Sequence, residues 1–327
     1  LSKSNISGLN LFFEMKKDTI LVTGGCGYIG SHTLIEILTK SDFDVISIDN
    51  LMNSSEDALD NIEKITSKRV FNYKINLCNE KETRKVFEKH PNIVGIIHFA
   101  ALKSVPESVE KPLLYYQNNL GSLVNILTLS EEFGVQDFIF SSSCSVYGDV
   151  SELPVHEETP FSKAASPYAY TKQIGEQIIQ DFVANETINL NCIALRYFNP
   201  VGAHISSLIG ENPSNSPTSL VPIITRTASG IIPQMNVWGD TYPTRDGSCI
   251  RDYIHVSDVA EAHLVAMNYL KKGTKKTKFD VFNLGTGTGV SVLEAINAFE
   301  ASTGKKLNYK ISPPRKGDVI SVYSDTS

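Results

Sequence analysis

Residues 20–32, Ile20-Leu21-Val22-Thr23-Gly24-Gly25-Cys26-Gly27-Tyr28-Ile29-Gly30-Ser31-His32, run from a short β-branched segment through a glycine-rich turn into a helix-length amphipathic stretch. Gly24, Gly27 and Gly30 are spaced as GxxGxxG between strand and helix. In that position glycine permits a tight turn, close approach of a pyrophosphate to the backbone, and packing of helix on strand. The amides at the helix start then face the anion. Asp49 stands at the end of the next β-branched run, where a carboxylate accepts hydrogen bonds from ribose hydroxyls and repels a 2'-phosphate, so NAD is expected over NADP.

Outward from this unit the first half of the chain alternates two periods. Segments 19–23, 44–48, 69–74, 95–99, 137–141 and 191–195 read as strands, and 31–40, 81–89, 115–133 and 168–185 read as helices. The alternation predicts an α/β fold, a Rossmann-type doubly wound parallel sheet with a smaller mixed α/β C-terminal lobe. After Asn199-Pro200 the texture becomes irregular and rich in Pro, Ser, Asn and Gly. A nucleotide-binding domain is therefore expected over 15–198 and a substrate lobe over 199–327. The two interleave, because 252–256 and 281–284 again read as strands and 258–270 as a helix. Residues 1–14, ahead of Met15-Lys16-Lys17-Asp18, are read as an extension, and the chain is expected to continue past Ser327.

The composition narrows the class. A net charge of −6 over 327 residues gives no basic field for nucleic acid, so anionic ligands need local cations. The apolar runs are strand-sized and interrupted by charge, and no membrane span is expected. Five cysteines, odd in number and without a CxxC pair, argue against a zinc site or a disulfide framework and for a reducing, cytoplasmic compartment.

Tyr168 and Lys172 lie four residues apart, on one face of the predicted helix, downstream of Ser141-Ser142-Ser143. Tyrosine ordinarily titrates near pH 10, so a base at neutrality needs a shift of roughly three units, about 4 kcal/mol. An ammonium about 4 Å away at an effective dielectric near 20 supplies that order of energy. The expectation is a phenol made basic by its neighbour, acting on an alcohol carbon.

TGGCGYIGSH, HFAALKSVPESV, SSSCSVYGD, SPYAYTK, RYFNPVGAH, RDYIHV and PRKGD resemble the extended short-chain dehydrogenase/reductase family, in its UDP-glucose 4-epimerase branch, from Met15 to the C-terminus. The resemblance implies NAD as cofactor, UDP-glucose and UDP-galactose as substrates, and a homodimer formed by two helices of each subunit. It implies oxidation at the sugar C4 against NAD, a turn of the 4-keto sugar, and reduction from the other face. Ser143, Tyr168 and Lys172 are then the catalytic residues. Gly24, Gly27, Tyr28, Ile29, Gly30, Asp49, Asn50, Asn53, Ser54, Asn76, Leu77, Phe99, Ala100, Ala101, Lys103, Asn118, Ser141 and Tyr197 are expected around the cofactor, with Tyr168 and Lys172. Lys103, Ser143, Tyr168, Phe198, Asn199, Ser219, Leu220, Val237, Trp238, Arg251, Tyr253, Arg315 and Asp318 are expected around the substrate. Arg251 and Arg315 are the implied pyrophosphate clamps, since guanidinium offers a planar fork to phosphate oxygens. On sequence alone Trp238 serves equally as core filler or base contact, and Arg251 equally as a partner of Asp252 or Asp258.

The chain departs from the family pattern in three places, one of them a residue pair. Asn76 stands where an aspartate is usual, Thr218-Ser219 replaces an Asn-Asn pair, and Val322 takes a position whose bulk governs admission of an N-acetyl group. The small valine implies activity on UDP-N-acetylglucosamine and its galacto epimer as well. A dehydratase or decarboxylase of the same family is the rival enzyme. It is disfavoured because the Asp-Glu pair that dehydratases carry after the active-site hydroxyl is here Cys144-Ser145. A non-catalytic NAD-binding regulator is a rival of another class, and the retained Tyr168–Lys172 pair speaks against it.

Overall fold

The computed structural model describes residues 17–213, 217–273, 277–315 and 318–327, so the expected extension at 1–14 and Lys316-Gly317 of the PRKGD motif lie outside the described residues. The first strand, β1 (Thr19–Thr23), is buried along its whole length and flanked by parallel partners on both sides. Such a strand needs apolar side chains on both faces, which explains the unbroken Ile20-Leu21-Val22 run. It leads into α1 (Tyr28–Lys40), β2 (Asp44–Ile48), α2 (Asp57–Thr66), β3 (Phe71–Tyr73), α3 (Glu80–Lys89) and β4 (Ile93–His98). Next come α4 (Val105–Glu110), α5 (Pro112–Tyr115), a π-helical turn at Tyr116–Leu120, α6 (Gly121–Glu132), β5 (Asp137–Ser143), α7 (Pro167–Ala184) and β6 (Asn191–Tyr197). The helix expected over 115–133 is thus broken by the π turn. The rest of the chain forms β7 (Asn199–Val201), α8 (Leu220–Ala228), β8 (Met235–Trp238), β9 (Ile250–His255) and α9 (Val256–Lys271). It ends with β10 (Phe279–Leu284), β11 (Gly289–Ser291), α10 (Val292–Thr303), β12 (Tyr309–Ser312) and β13 (Ser321–Val322).

Seven strands form one parallel sheet in the order β10-β6-β5-β4-β1-β2-β3, with the sequence order reversing between β1 and β4. This is the doubly wound sheet expected from the sequence. One face buries Ile20, Val22, Ile97, Ile139 and Ile193 against α1 and α9, and the other buries Leu21, Ile96, Phe138 and Phe140 against α3, α6 and α7. Leu123, Ile126 and Leu127 of α6 are core residues of the second face. The later strands build two small sheets, β11-β9-β13 with β7 also on β9, and β12-β8. Between them α9 packs on α1, and β10 returns to the edge of the main sheet beside β6. The carboxyl ends of β1, β2, β4, β5 and β6 therefore open toward the small sheets, the place where ligands bind in such folds.

Candidate active site

A cleft of about 1020 Å³ runs from the glycine loop across the ends of the main strands to β8, β9 and the segment before β13. Its nucleotide end is shaped by backbone. Gly24 has φ +72°, and a Cβ there would lie 2.9 Å from the Ala100 backbone nitrogen. At Gly30 a Cβ would lie 2.2 Å from the Gly24 carbonyl, so the helix meets the turn only without a side chain. The Asp49 carboxylate accepts from the Cys26 amide (3.0 Å), the Leu51 amide (2.9 Å) and the Ser54 hydroxyl (2.9 Å). These bonds fix an anion at the mouth between turn and β2. The arrangement fits an adenosine ribose with the pyrophosphate over the glycine turn, so the residues present fit NAD.

Of the remaining expected cofactor residues, Tyr28, Ile29, Asn50, Asn53, Asn76, Leu77, Phe99, Ala100, Ala101, Lys103, Asn118, Ser141 and Tyr197 all line this cleft. Tyr28 donates to the Gly202 carbonyl (2.7 Å), tying the glycine loop to the chain beyond β7. Lys103 pairs with Glu211 (3.1 Å), which also accepts from Ser219 (2.9 Å). Glu211 was not found from sequence, because nothing local relates it to a lysine 108 positions earlier. Asn119 was also missed. On the π turn, it bonds both backbone groups of Leu102 and the Thr171 hydroxyl (3.2 Å), and so joins the loop after β4 to α7. A π turn is a frequent mark of a functional position.

At the centre, β5 brings Ser143 and α7 brings Tyr168 and Lys172. Ser166 caps α7 by accepting from the Ala169 amide (3.2 Å), and Pro167 takes the first helical position, so the tyrosine enters in the first turn. The Ser143 hydroxyl is near enough to the Tyr168 phenol to favour its ionised form, and its oxygen accepts from the Ser145 amide (3.2 Å). Lys172, 5% exposed, donates to the Ser141 carbonyl, and its ammonium lies 4.9 Å from the Phe140 ring centre and 6.0 Å from that of Tyr168. Burial pushes the Tyr168 phenol up to about 12, against the lowering effect of Ser143, and pulls the Lys172 ammonium down to about 8, against the Glu176 carboxylate. This corrects the expectation of a phenol already made basic by its lysine. Desolvation disfavours charge on both groups, and the ammonium's hydrogen bond goes to the Ser141 carbonyl.

The substrate end is built by the small sheets. Phe198, Asn199, Ser219, Leu220, Trp238, Arg251, Tyr253, Arg315 and Asp318 line the cleft. Arg315 is held by Asp318 through two bonds (2.9 and 3.1 Å), with its guanidinium 5.6 Å from the Trp238 ring centre, so Trp238 is a wall of the cleft. Arg251 does not pair with Asp252, whose carboxylate is taken by Thr286, Gly287 and Ser324. Val237 is a correction. Alternation along β8 turns it away from the cleft into a core with Ile224, Met235, Ile296 and Leu307. Val322 is on the wall beside Asp318 and Val319. Asn199 Oδ1 and Ser145 Oγ are buried and lack a protein partner; both residues face the cleft. Ser145 was readable from the SSSCSVYGD motif, where it was weighed only as a poor acid or base.

Among the described residues no helix is long and apolar enough to cross a membrane, and no cluster of His, Cys, Asp and Glu is arranged to hold a metal ion. Residues 20–285 match the family described as the NAD dependent epimerase/dehydratase family. The chain is 46% identical over 308 residues to a UDP-glucose 4-epimerase of Schizosaccharomyces pombe, covering 93% of this chain and 85% of that one. It is 43% identical over 319 residues to that of Drosophila melanogaster, covering 96% and 90%. Among solved structures, UDP-glucose 4-epimerase of Bifidobacterium longum in complex with NAD+ and UDP superposes with a TM-score of 0.89 at 45% identity, covering 94% and 90%. The UDP-Glc/GlcNAc 4-epimerase of Campylobacter jejuni superposes with a TM-score of 0.78 at 35% identity, covering 95% and 91%. With the glycine turn, Asp49 and the Ser143–Tyr168–Lys172 set on one cleft, this chain belongs to the NAD dependent epimerase/dehydratase family, among its UDP-glucose 4-epimerases.

Proposed function

We propose that this enzyme interconverts UDP-glucose and UDP-galactose in galactose metabolism, with NAD retained over the glycine turn. One observation carries the reading. The Ser143–Tyr168–Lys172 set lies midway along a single cleft, with the glycine turn and Asp49 at one end and Trp238, Arg251 and Arg315 at the other. When bound, NAD supplies reversible two-electron oxidation at the sugar C4 and a positive ring that favours a phenolate. Tyr168, as the phenolate, takes the proton of the 4-hydroxyl and later returns it, and Ser143 holds the same oxygen. Lys172 keeps the positive potential beside them. Arg251 and Arg315 grip the diphosphate and Trp238 the uracil, so binding energy resides in the nucleotide while the hexose is free to turn.

In this reading residues 15–198 hold the cofactor and 199–327 the UDP-sugar. Val109, Leu113, Leu114, Val124 and Tyr170 leave an exposed apolar band on α4, α5, α6 and α7, which supports a homodimer through these helices. Five thiols outside any disulfide suit the cytoplasm.

The test is to mix purified protein with UDP-galactose, without added NAD, and follow UDP-glucose. Turnover is expected, and Tyr168→Phe should lower kcat by about 10²- to 10⁴-fold. Undiminished turnover in that variant would remove the phenol from the mechanism. Val322 on the cleft wall favours a second substrate pair, UDP-N-acetylglucosamine and its galacto epimer. Val322→Tyr should abolish that activity and spare UDP-galactose. No turnover of the N-acetyl sugar by the parent enzyme would reject the second pair.

A further inference from the structure

Behind the catalytic pair lies a buried ion pair. Glu176 follows Lys172 by four residues on α7, as Lys172 follows Tyr168, so the three form one stripe along the helix face turned to β5. The three serines of β5 meet this stripe one by one. Ser143 stands by Tyr168, the Ser141 carbonyl accepts from Lys172, and the Ser142 hydroxyl donates to Glu176. Arg196 of β6 closes the far side with two parallel bonds to Glu176 (3.0 and 2.6 Å). Its other amine donates to the Tyr147 hydroxyl and the Glu157 carbonyl, both at 2.9 Å. The Glu176 side chain is 1% exposed and that of Arg196 5%. A pair this deep is poor evidence of stabilisation, since desolvation offsets its attraction and an apolar pair of similar volume often does as well.

We propose that Glu176, aligned by Arg196 and Ser142, is a positioning residue that keeps Lys172 cationic and in register with Tyr168 on β5. The inference rests on the catalytic reading above. Burial works against the ammonium, the Ser141 carbonyl offers a dipole but no charge, and Glu176 is the anion on the same helix face. The other groups packed around α7 do not replace it. His98 of β4 is buried and neutral, with a lowered pKa of about 3, and Tyr197 of β6 bonds His263 (2.7 Å). Cys144 and Tyr147 follow β5, the thiol held protonated by burial and the phenol bonded to Arg196 and Asn283. Glu107 of α4 is occupied by Lys111 and by Tyr115 of α5, and Tyr116 meets Tyr170 edge to face. Asp280 of β10 accepts from Thr277.

The experiment follows the Lys172 side chain by NMR of protein labelled with ¹³C-lysine, assigned by the signal lost in Lys172→Met. In Glu176→Gln, which keeps the shape and removes the charge, Lys172 should titrate about one pH unit lower than in the parent. The alkaline limb of the kcat profile should move down with it, and kcat at pH 8 should fall about fivefold. Glu176→Gln/Arg196→Met leaves no buried charge unpaired and serves if the single variant does not fold. Its shift has the same sign and is smaller, because the opposing guanidinium is also gone. A Lys172 titration unmoved in either folded variant, whatever the loss in Tm, would overturn the proposal. A titration that moves while the kcat profile does not would instead count against the catalytic reading of Lys172.

Discussion

The two ends of the cleft are built differently. At the nucleotide end, contacts come from the ends of buried parallel strands in the middle of a seven-stranded sheet and from glycine turns with no room for a side chain, and Asp49 is fixed by three hydrogen bonds. At the UDP-sugar end they come from strands of two to six residues in two small sheets, with the partly exposed Arg315 and Trp238 braced on each other. The contrast matches a cofactor that stays and a substrate that must enter, turn over and leave. Rigid backbone suits the first, and side chains on short strands suit the second.

Substitutions at the two ends should separate along this line. The largest effect is expected from Gly30→Ala, whose methyl meets backbone and not a movable side chain. Bound NAD, measured by its release on denaturation, should fall more than tenfold, with about 1–3 kcal/mol lost from the fold. Retention of a full complement of cofactor would break the account of the rigid end. Arg315→Met should leave NAD content untouched and raise KM for UDP-galactose about tenfold, as expected for one charge-assisted phosphate contact. An equal loss of cofactor would show the two ends to be one unit. The third effect, a dependence on acid, acts on the fold beneath both ends. His98 and His263 are held neutral by burial, at about 3 and about 4, beneath Ala100 and Tyr197 of the cleft lining. Both folded values lie below the ordinary 6.5, so the unfolded chain takes up more protons as pH falls. Their contribution is complete above pH 6.5 and declines toward pH 4, by about 1 kcal/mol per histidine per pH unit. Tm measured from pH 7.5 to 5 should decline, and a flat profile would mean that these rings are not held neutral.

The same division governs what the sequence revealed. The strands of the main sheet were legible because burial on both faces demands uninterrupted apolar runs between glycine and proline signals, and the Tyr168 helix announces itself with Ser166-Pro167. α2 was passed over although Leu59, Ile62 and Ile65 recur at helical spacing and pack on the first face, because only Ile62 is fully buried and charges separate the three. β8, β12 and β13 are too short to display a period, and on β8 this hid the alternation that sends Val237 inward and Trp238 outward. The catalytic set was recognisable by spacing and by resemblance. Glu176 and Arg196 were not, because a charged residue gives no local sign of a partner brought to it by tertiary packing. Extending the Tyr168–Lys172 spacing by one more turn would have reached Glu176.

β10 enters the main sheet next to β6 only after the chain has left, built parts of both small sheets and laid α9 against α1. The edge of the coenzyme platform is therefore supplied by a segment synthesised late. A nascent chain halted after Tyr197 would expose the flank of β6 and the apolar surface that α9 covers, a template for pairing with other chains. Neither end of the cleft can mature on the ribosome ahead of the other, and dissecting this enzyme into separately expressed halves should give aggregates instead of a working coenzyme-binding module.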